Sequence, residues 1–123
     1  MDGIKTSVMV CADMYYGEHG EIVAQQGAEL IIGSACWPEG GHSGPPKIAW
    51  ERLSQTAGSI PVLVVNQTGV KGMDFRSARS AVIDEGKLKF CYYGDEAVLL
   101  IEFDLQIKKV ISESFKVIPF CLD

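Results

Sequence analysis

One unit near the start of the chain restricts the fold most, because it alternates strand, helix and strand within a short segment. The unit is VMVCADMYYGEHGEIVAQQGAELII, residues 8–32. Its first residues form an apolar run typical of a strand, a helix is predicted at residues 18–26, and Gly27 ends that helix as a C-cap. A second strand is predicted at residues 29–34. Two strands joined by a helix indicate an α/β sheet, and Cys11 lies where the first strand stops.

The remainder of the chain continues this alternation and then changes to consecutive strands. Pro46 suits the first turn of a helix predicted at residues 47–59, and Pro61 stops that helix. The run VLVV at residues 62–65 is apolar throughout, as in a strand buried on both faces. Further strands are predicted at residues 80–84, 88–93 and 97–103. The sequence therefore predicts a domain of the α/β (α+β) class, with a mixed β-sheet and helices on one face.

Composition and charge exclude several classes of function. The 11 Lys and Arg residues are outnumbered by 16 Asp and Glu residues, the formal net charge is -5, and no basic cluster occurs. A nucleic-acid partner is therefore not expected. No run approaches the roughly 18 apolar residues that a membrane span needs. The first residues also lack the charged-then-apolar pattern of a signal peptide, so we expect a cytoplasmic protein without a membrane partner.

The four cysteines do not indicate a metal site. Cys11, Cys36, Cys91 and Cys121 are widely spaced and form no CxxC pair, so a zinc site is not expected. In a reducing cytoplasm these thiols are free, and a free cysteine is most often a small buried apolar residue. That interpretation is favoured for all but Cys11. No metal or organic cofactor is predicted.

Cys11 has two interpretations from its position alone. A thiolate nucleophile favours a strand end with nearby N–H groups and partial exposure, which this position offers. The neighbouring Asp13 would raise the pKa of the thiol unless a cation offsets it. The alternative is a cysteine that is simply packed against its neighbours.

Five motifs in order resemble the nitrilase superfamily, the carbon–nitrogen hydrolases. They are VMVCADMYYGE, GAELIIGSACW, WERL, VLVVNQTG and RSAVIDEGK. Ala12 and Gly17 depart from the pattern, since an aromatic residue and a proline are common there. The similarity covers roughly residues 2–104. It implies that residues 1–104 are the C-terminal half of a carbon–nitrogen hydrolase domain, half of a four-layer α-β-β-α sandwich, and that residues 105–123 are a tail that packs on a partner or at an oligomer interface.

The resemblance implies an activity and assigns roles to residues. Cys11 would be the nucleophile that attacks an amide or nitrile carbon, and the backbone N–H of Ala12 would be half of an oxyanion hole. Tyr15, Trp37 and Asn66 would bind the substrate. For Trp37 a place in the core is an equal alternative, and Asn66 could instead satisfy loop backbone groups. The expected partner is a small-molecule amide or nitrile.

The remainder of the family's triad, a Glu and a Lys upstream of the Cys, has no match here. Only ten residues precede Cys11, with no Glu and one Lys, Lys5. On an extended strand Lys5 would lie about 20 Å from Cys11. The interpretation is therefore a partial hydrolase that needs an upstream half-domain or a partner. The alternative is a catalytically inactive half-domain that serves as a binding or interaction module. In either case the uncovered sheet predicts that the isolated chain associates with itself or is poorly soluble, so the expected protein partner is a second copy in a homo-oligomer or an upstream half-domain.

Overall fold

The computed structural model describes residues 3–36, 46–67 and 80–120, and these form three sheets and two helices. The large sheet comprises β1 (Thr6–Val10), β2 (Leu30–Ala35), β3 (Val62–Asn66), β4 (Ser80–Asp84) and β5 (Lys87–Tyr92). The helices are α1 (Glu18–Gln25) and α2 (Pro46–Thr56). Four shorter strands follow: β6 (Ala97–Leu100), β7 (Phe103–Asp104), β8 (Lys109–Val110) and β9 (Lys116–Pro119). A 3₁₀ helix, Cys11–Tyr15, follows β1 and is called the Cys11 turn below.

The large sheet is mixed, as the sequence predicts. Its strands lie in the order β1-β2-β3-β4-β5, with β1, β2 and β3 parallel and the last two pairs antiparallel. Each parallel pair is joined by a helix, and α1 and α2 pack against each other. Because crossovers of this type are right-handed and both advance in the same direction, the two helices lie on the same face of the sheet.

The hydrophobic core lies between this face and the helices. On β3, Val62 and Val64 are buried in the core, whereas Val65 is exposed on the other face. The prediction that this apolar run is buried on both faces is therefore wrong for the described chain. Trp50 and Leu53 of α2 are almost fully buried against the same cluster. The predicted one-sided arrangement of helices and sheet is therefore confirmed.

The C-terminal strands cover the opposite face at β4 and β5. Val82 points away from the helix-side core and is nevertheless fully buried, and Phe90 of β5 packs edge-on against Phe115 with ring centroids 4.9 Å apart. The Val110 N–H donates to Asp84 Oδ2 at 3.0 Å. These contacts attach part of the tail to the chain itself; the predicted contact of residues 105–123 with a partner stays a prediction.

An ion pair joins the C-terminal strand β8 to the turn between β4 and β5. Lys109 of β8 donates to Glu85, and this hydrogen bond lowers the pKa of Glu85 and raises that of Lys109. Both side chains are open to solvent, so the pair fixes the position of the turn more than it stabilises the fold.

The face away from the helices stays uncovered at β1, β2 and β3. Val8 is 71% exposed, Val10 60% and Val65 59%, and Ile32 lies beside Val8 in the register. Isolated exposed apolar residues are ordinary, but these lie on one face of one sheet, with Ser34 between Val10 and Val65 in the register, and they form an apolar surface called the outer face below.

Predicted and observed boundaries differ by a few residues at most positions. The strand predicted to end near Cys11 ends at Val10, because Cys11 starts the 3₁₀ helix. The helix predicted at residues 47–59 begins at Pro46 and ends at Thr56. The strand predicted at residues 97–103 is divided into β6 and β7, which pair with different partners.

Close contact between the helices leads to the first prediction. A Cβ added at Gly20 of α1 would lie 2.7 Å from Leu53 O and 3.0 Å from Ala57 N, and closer still to the Thr56 hydroxyl. We expect Gly20→Ala to destabilise the chain by about 1–3 kcal/mol despite the better helix propensity of alanine, because helix backbones must separate. Chemical denaturation measures this, with the exposed Gln25→Ala of the same helix as a control within about 0.5 kcal/mol of the parent. An unchanged or higher stability of Gly20→Ala would contradict the observed helix spacing.

Candidate functional site

The candidate site lies at the carboxyl edge of the parallel strands. The register pairs Val10 with Ser34, and Ala35 with Asn66, so the residues that follow β1, β2 and β3 come together along one edge of the sheet. Such an edge is where open α/β sheets bind ligands. Cys11 and Cys36 follow two of these strand ends, and Asn66 is the last residue of the third.

Cys11 has an unusual backbone conformation. Its φ is 45°, in the left-handed region that non-glycine residues rarely adopt. Cys11 directly follows the strand and starts the 3₁₀ helix, so the backbone leaves the direction of the strand at the cysteine itself. The side chain is partly exposed. Strained backbone that the surrounding structure holds in place is typical of functional sites.

Three contacts hold the Cys11 turn in position. The Asp13 carboxylate accepts a hydrogen bond from the Val10 N–H at 3.1 Å, and the Asp13 carbonyl lies 2.6 Å from His19 Nδ1 of α1. Met14 is fully buried, and its thioether occupies the space that a side chain at Gly33 of β2 would fill. The turn is therefore tied to β1, to α1 and to β2.

The Cys11 thiol contacts the neighbouring strand end. Its Sγ lies 3.7 Å from the carbonyl oxygen of Cys36, within the range of a weak S–H···O hydrogen bond. Cys36 itself is exposed, so the prediction that it is a small buried apolar residue is wrong. The pair is thus brought together by the β1–β2 register, although the residues are far apart in sequence.

Asn66 lies on the same edge, about 10 Å from the end of β1 because two interstrand spacings separate them. Its side chain is 6% exposed; its N–H donates to Ser80 Oγ at 3.0 Å and its Oδ1 accepts from the Gln67 N–H at 3.0 Å. A cavity of about 310 Å³ adjoins it. The residues around that cavity are Val65, Asn66, Ser80, Tyr92, Asp95, Glu96, Ala97, Leu99 and Phe120.

The other predicted site residues have mixed positions. Ala12 follows Cys11 in the turn and is exposed. Tyr15 ends the turn, is half-buried and packs against the helix-side core. Trp37 lies outside the described residues. Sequence reasoning missed Asp95 and Glu96, because two acidic residues in a polar turn between strands carry no signal that distinguishes a cavity wall from a solvent-exposed turn.

Lys5 lies far from the thiol, as its sequence position predicts. It precedes β1, and its ammonium lies near Gly27 beyond the end of α1, so it is at the opposite edge of the sheet from Cys11. Among the residues that the structure describes, no group of three or more His, Cys, Asp and Glu side chains is arranged to bind a metal ion. Neither described helix is long and apolar enough to span a membrane.

The second prediction tests the strained backbone at Cys11. We expect Cys11→Gly to be more stable than Cys11→Ala by about 0.5–1 kcal/mol, because only glycine adopts the left-handed region without strain. The adjacent Ala12→Gly is the matched control, and there the same exchange is expected to destabilise by about 0.5–1 kcal/mol. Denaturant titrations of these variants measure both differences. If glycine is unfavourable at both positions, the left-handed conformation of Cys11 is wrong.

Comparisons with known proteins give structural matches only. No protein-family model matches the chain, and no curated protein matches it. Among solved structures, a carbon–nitrogen hydrolase from Helicobacter pylori G27 is similar with a TM-score of 0.63 and 26% identity, over 85% of this chain and 42% of that one. This chain therefore spans less than half of the length of that enzyme.

Two solved structures with lower sequence identity to this chain have the same fold. The glutamine-dependent NAD+ synthetase from Acinetobacter baumannii matches with a TM-score of 0.67 and 17% identity, over 95% of this chain and 22% of that one. Saccharomyces cerevisiae Nit3, a member of branch 10 of the nitrilase superfamily, matches with a TM-score of 0.54 and 21% identity, over 74% and 34% of the two chains. In each case the described strands and helices match only a part of the larger protein.

Proposed function

We propose that this chain is the cysteine-bearing part of a carbon–nitrogen hydrolase of the nitrilase superfamily that acts on a non-peptide amide or nitrile, a proposal supported by the likeness of its fold to those enzymes. Cys11 is the nucleophile, and the N–H of Ala12 contributes to the oxyanion hole. The observation that carries this proposal is the conformation of Cys11: a partly exposed thiol in left-handed backbone at the carboxyl edge of a parallel sheet.

The position of Cys11 suits nucleophilic chemistry. A residue at a strand-to-helix reversal presents its side chain at the sheet edge, and the first N–H groups of the following turn have no partners within that turn. In the proposed reaction Sγ attacks the carbonyl or nitrile carbon, and negative charge develops on the oxygen or nitrogen atom, which these N–H groups stabilise. For an amide, the C–N bond then breaks, ammonia or an amine leaves with a proton, and water hydrolyses the thioester.

The proposed reaction also needs a base to take the thiol proton. Asp13 is the nearest acidic residue in sequence, but its carboxylate accepts the Val10 N–H, which directs it towards the strand. Lys5 is at the other edge of the sheet. We therefore assign the general base and the cationic group to an upstream half of the same domain, whose presence is supported by the 42% share of the H. pylori enzyme that this chain covers.

The third prediction concerns catalysis by the protein isolated from its source cell, with whatever sequence accompanies this chain. We expect ammonia release from members of a panel of small amides and nitriles, and an acyl adduct on the Cys11 peptide after an acid quench. Cys11→Ala should lower kcat by at least about a thousandfold, because the nucleophile is lost. Coupled ammonia assays and peptide mass spectrometry measure the two effects.

Cys91→Ala is the matched control for this experiment, because Cys91 packs against the core on β5, four strands away from β1. It should keep the parent's activity. Hydrolysis that survives in Cys11→Ala would overturn the assignment of the nucleophile. Absence of both ammonia and adduct with the parent protein would favour a non-catalytic binding module instead.

The fourth prediction concerns the outer face, which we propose is covered by the second sheet of the complete domain. We expect the 123-residue chain alone to self-associate through this face, and Val8→Ser combined with Val65→Ser to weaken association by at least about tenfold, since buried valine side chains contribute well over 1 kcal/mol each. Sedimentation or light scattering over a concentration series measures the effect.

The comparison variant is Ile22→Ser, which changes a residue 55% exposed on α1. It should leave the association of the isolated chain nearly unchanged. A parent chain that stays monomeric at high concentration, or a chain that Ile22→Ser disperses while the valine variant does not, would contradict the proposed role of the outer face.

A further inference from the structure

We propose that Cys11 and Cys36 are a redox modification site, at which a peroxide converts the two thiols into a reversible intramolecular disulfide. Cys11 directly follows Val10, which pairs with Ser34, whereas Cys36 directly follows Ala35, so the two cysteines lie at adjacent parallel strand ends with an offset of one residue. The Sγ of Cys11 already lies 3.7 Å from the backbone carbonyl of Cys36. A disulfide needs Cα atoms roughly 4.4–6.8 Å apart, and a strand spacing of about 4.8 Å with an offset of about 3.3 Å for one residue gives about 5.8 Å.

Exposure favours this pair. Cys11 is partly exposed and Cys36 is exposed, so a small peroxide reaches both. Because Cys36 lies just beyond the end of β2, its backbone carries no ladder pairing that would resist a small adjustment. The left-handed Cys11 likewise lies outside the regular β1 ladder.

The third described cysteine is separated from this pair. Cys91 lies on β5 opposite Ala81, on the helix-facing side, about four interstrand spacings or ~19 Å from β1. It does not reach Cys11 without unfolding. Cys121 lies outside the described residues, so the experiment identifies the pairing directly rather than by elimination.

The chemistry balances with a peroxide as the oxidant. The Cys11 thiolate attacks one oxygen of hydrogen peroxide, the O–O bond breaks, and hydroxide leaves, so that sulfur is oxidised to a sulfenic acid and the peroxide is reduced. The Cys36 thiolate then attacks the Cys11 sulfur, the S–O bond breaks, and water leaves after protonation. A dithiol such as dithiothreitol reverses the bond by exchange, and its own two thiols become oxidised.

This inference does not depend on hydrolysis, since it requires only the proximity and exposure of two thiols. In the proposed hydrolase it would remove the nucleophile reversibly and protect it from further oxidation to the sulfinic acid. The disulfide is read by mass and the hydrolase by ammonia release, so failure of one proposal leaves the other standing.

The test treats the folded, reduced chain at low concentration with hydrogen peroxide, followed by an acid quench and alkylation of the remaining thiols. The intact mass measured before alkylation should be lower by about 2 Da, for the two hydrogens lost, and dithiothreitol should reverse this change. A non-reduced digest should yield one linked peptide that contains Cys11 and Cys36. Oxidation of the same chain in concentrated urea is the control, in which all four cysteines should pair without this preference.

Variants make the outcome decisive. In Cys36→Ser the mass loss should disappear and Cys11 should instead gain about 16 or 32 Da, because its sulfenic acid has no resolving thiol. Cys91→Ser should behave like the parent. A folded parent that forms no disulfide, one that links Cys11 to a different cysteine, or a Cys36→Ser variant that still loses about 2 Da would each overturn the proposal.

Discussion

The parallel pairing of β1, β2 and β3 is the constraint on which the remaining structure depends. Each parallel step requires a crossover, and right-handed crossovers in one direction place α1 and α2 on one face. That face receives the core, including Trp50 and Leu53, whereas the outer face keeps Val8 and Val65 exposed. The same pairing aligns the carboxyl ends of three strands, so core, outer face and candidate site all follow from one register.

The candidate site uses that alignment through a single reversal of the backbone. After β1 the chain enters a 3₁₀ helix at Cys11, whose φ is in the left-handed region. Because Gly33 has no side chain, the Met14 side chain packs directly against β2 below the Cys11 turn. Burial of Met14 offsets the local strain, since a fully buried methionine contributes about 1.5–3 kcal/mol against about 1–2 kcal/mol for a left-handed L-residue. The structure therefore tolerates a strained cysteine at this edge of the sheet, because Met14, three residues later in the sequence, is fully buried beside it.

Much of this fold is readable from the sequence because its signals are local. The helix over residues 18–26 ends one residue early, and Gly27, predicted as its cap, has φ 78°. The β4–β5 hairpin matches closely because DEGK marks its turn. The division of residues 97–103 into β6 and β7 was not predictable, since it depends on pairing with the distant β8 and β9. The left-handed conformation of Cys11 was not predictable either, because the contacts of its turn with Gly33 and His19 form only when the chain folds.

The site shows the same division between local and distant signals. A cysteine at a strand end is visible in sequence, and so is Asn66 at the end of an apolar run, but their common edge follows from the register alone. The cavity beside Asn66 takes its wall from Tyr92, Asp95 and Glu96, which come from a separate hairpin. Cys11 follows β1 and the cavity lies beside β3, so the two are about two interstrand spacings, or ~10 Å, apart along one edge of the sheet. Val65 belongs both to the outer face and to the wall of this cavity, so in the proposed enzyme a surface that covers the exposed valines would also border the cavity.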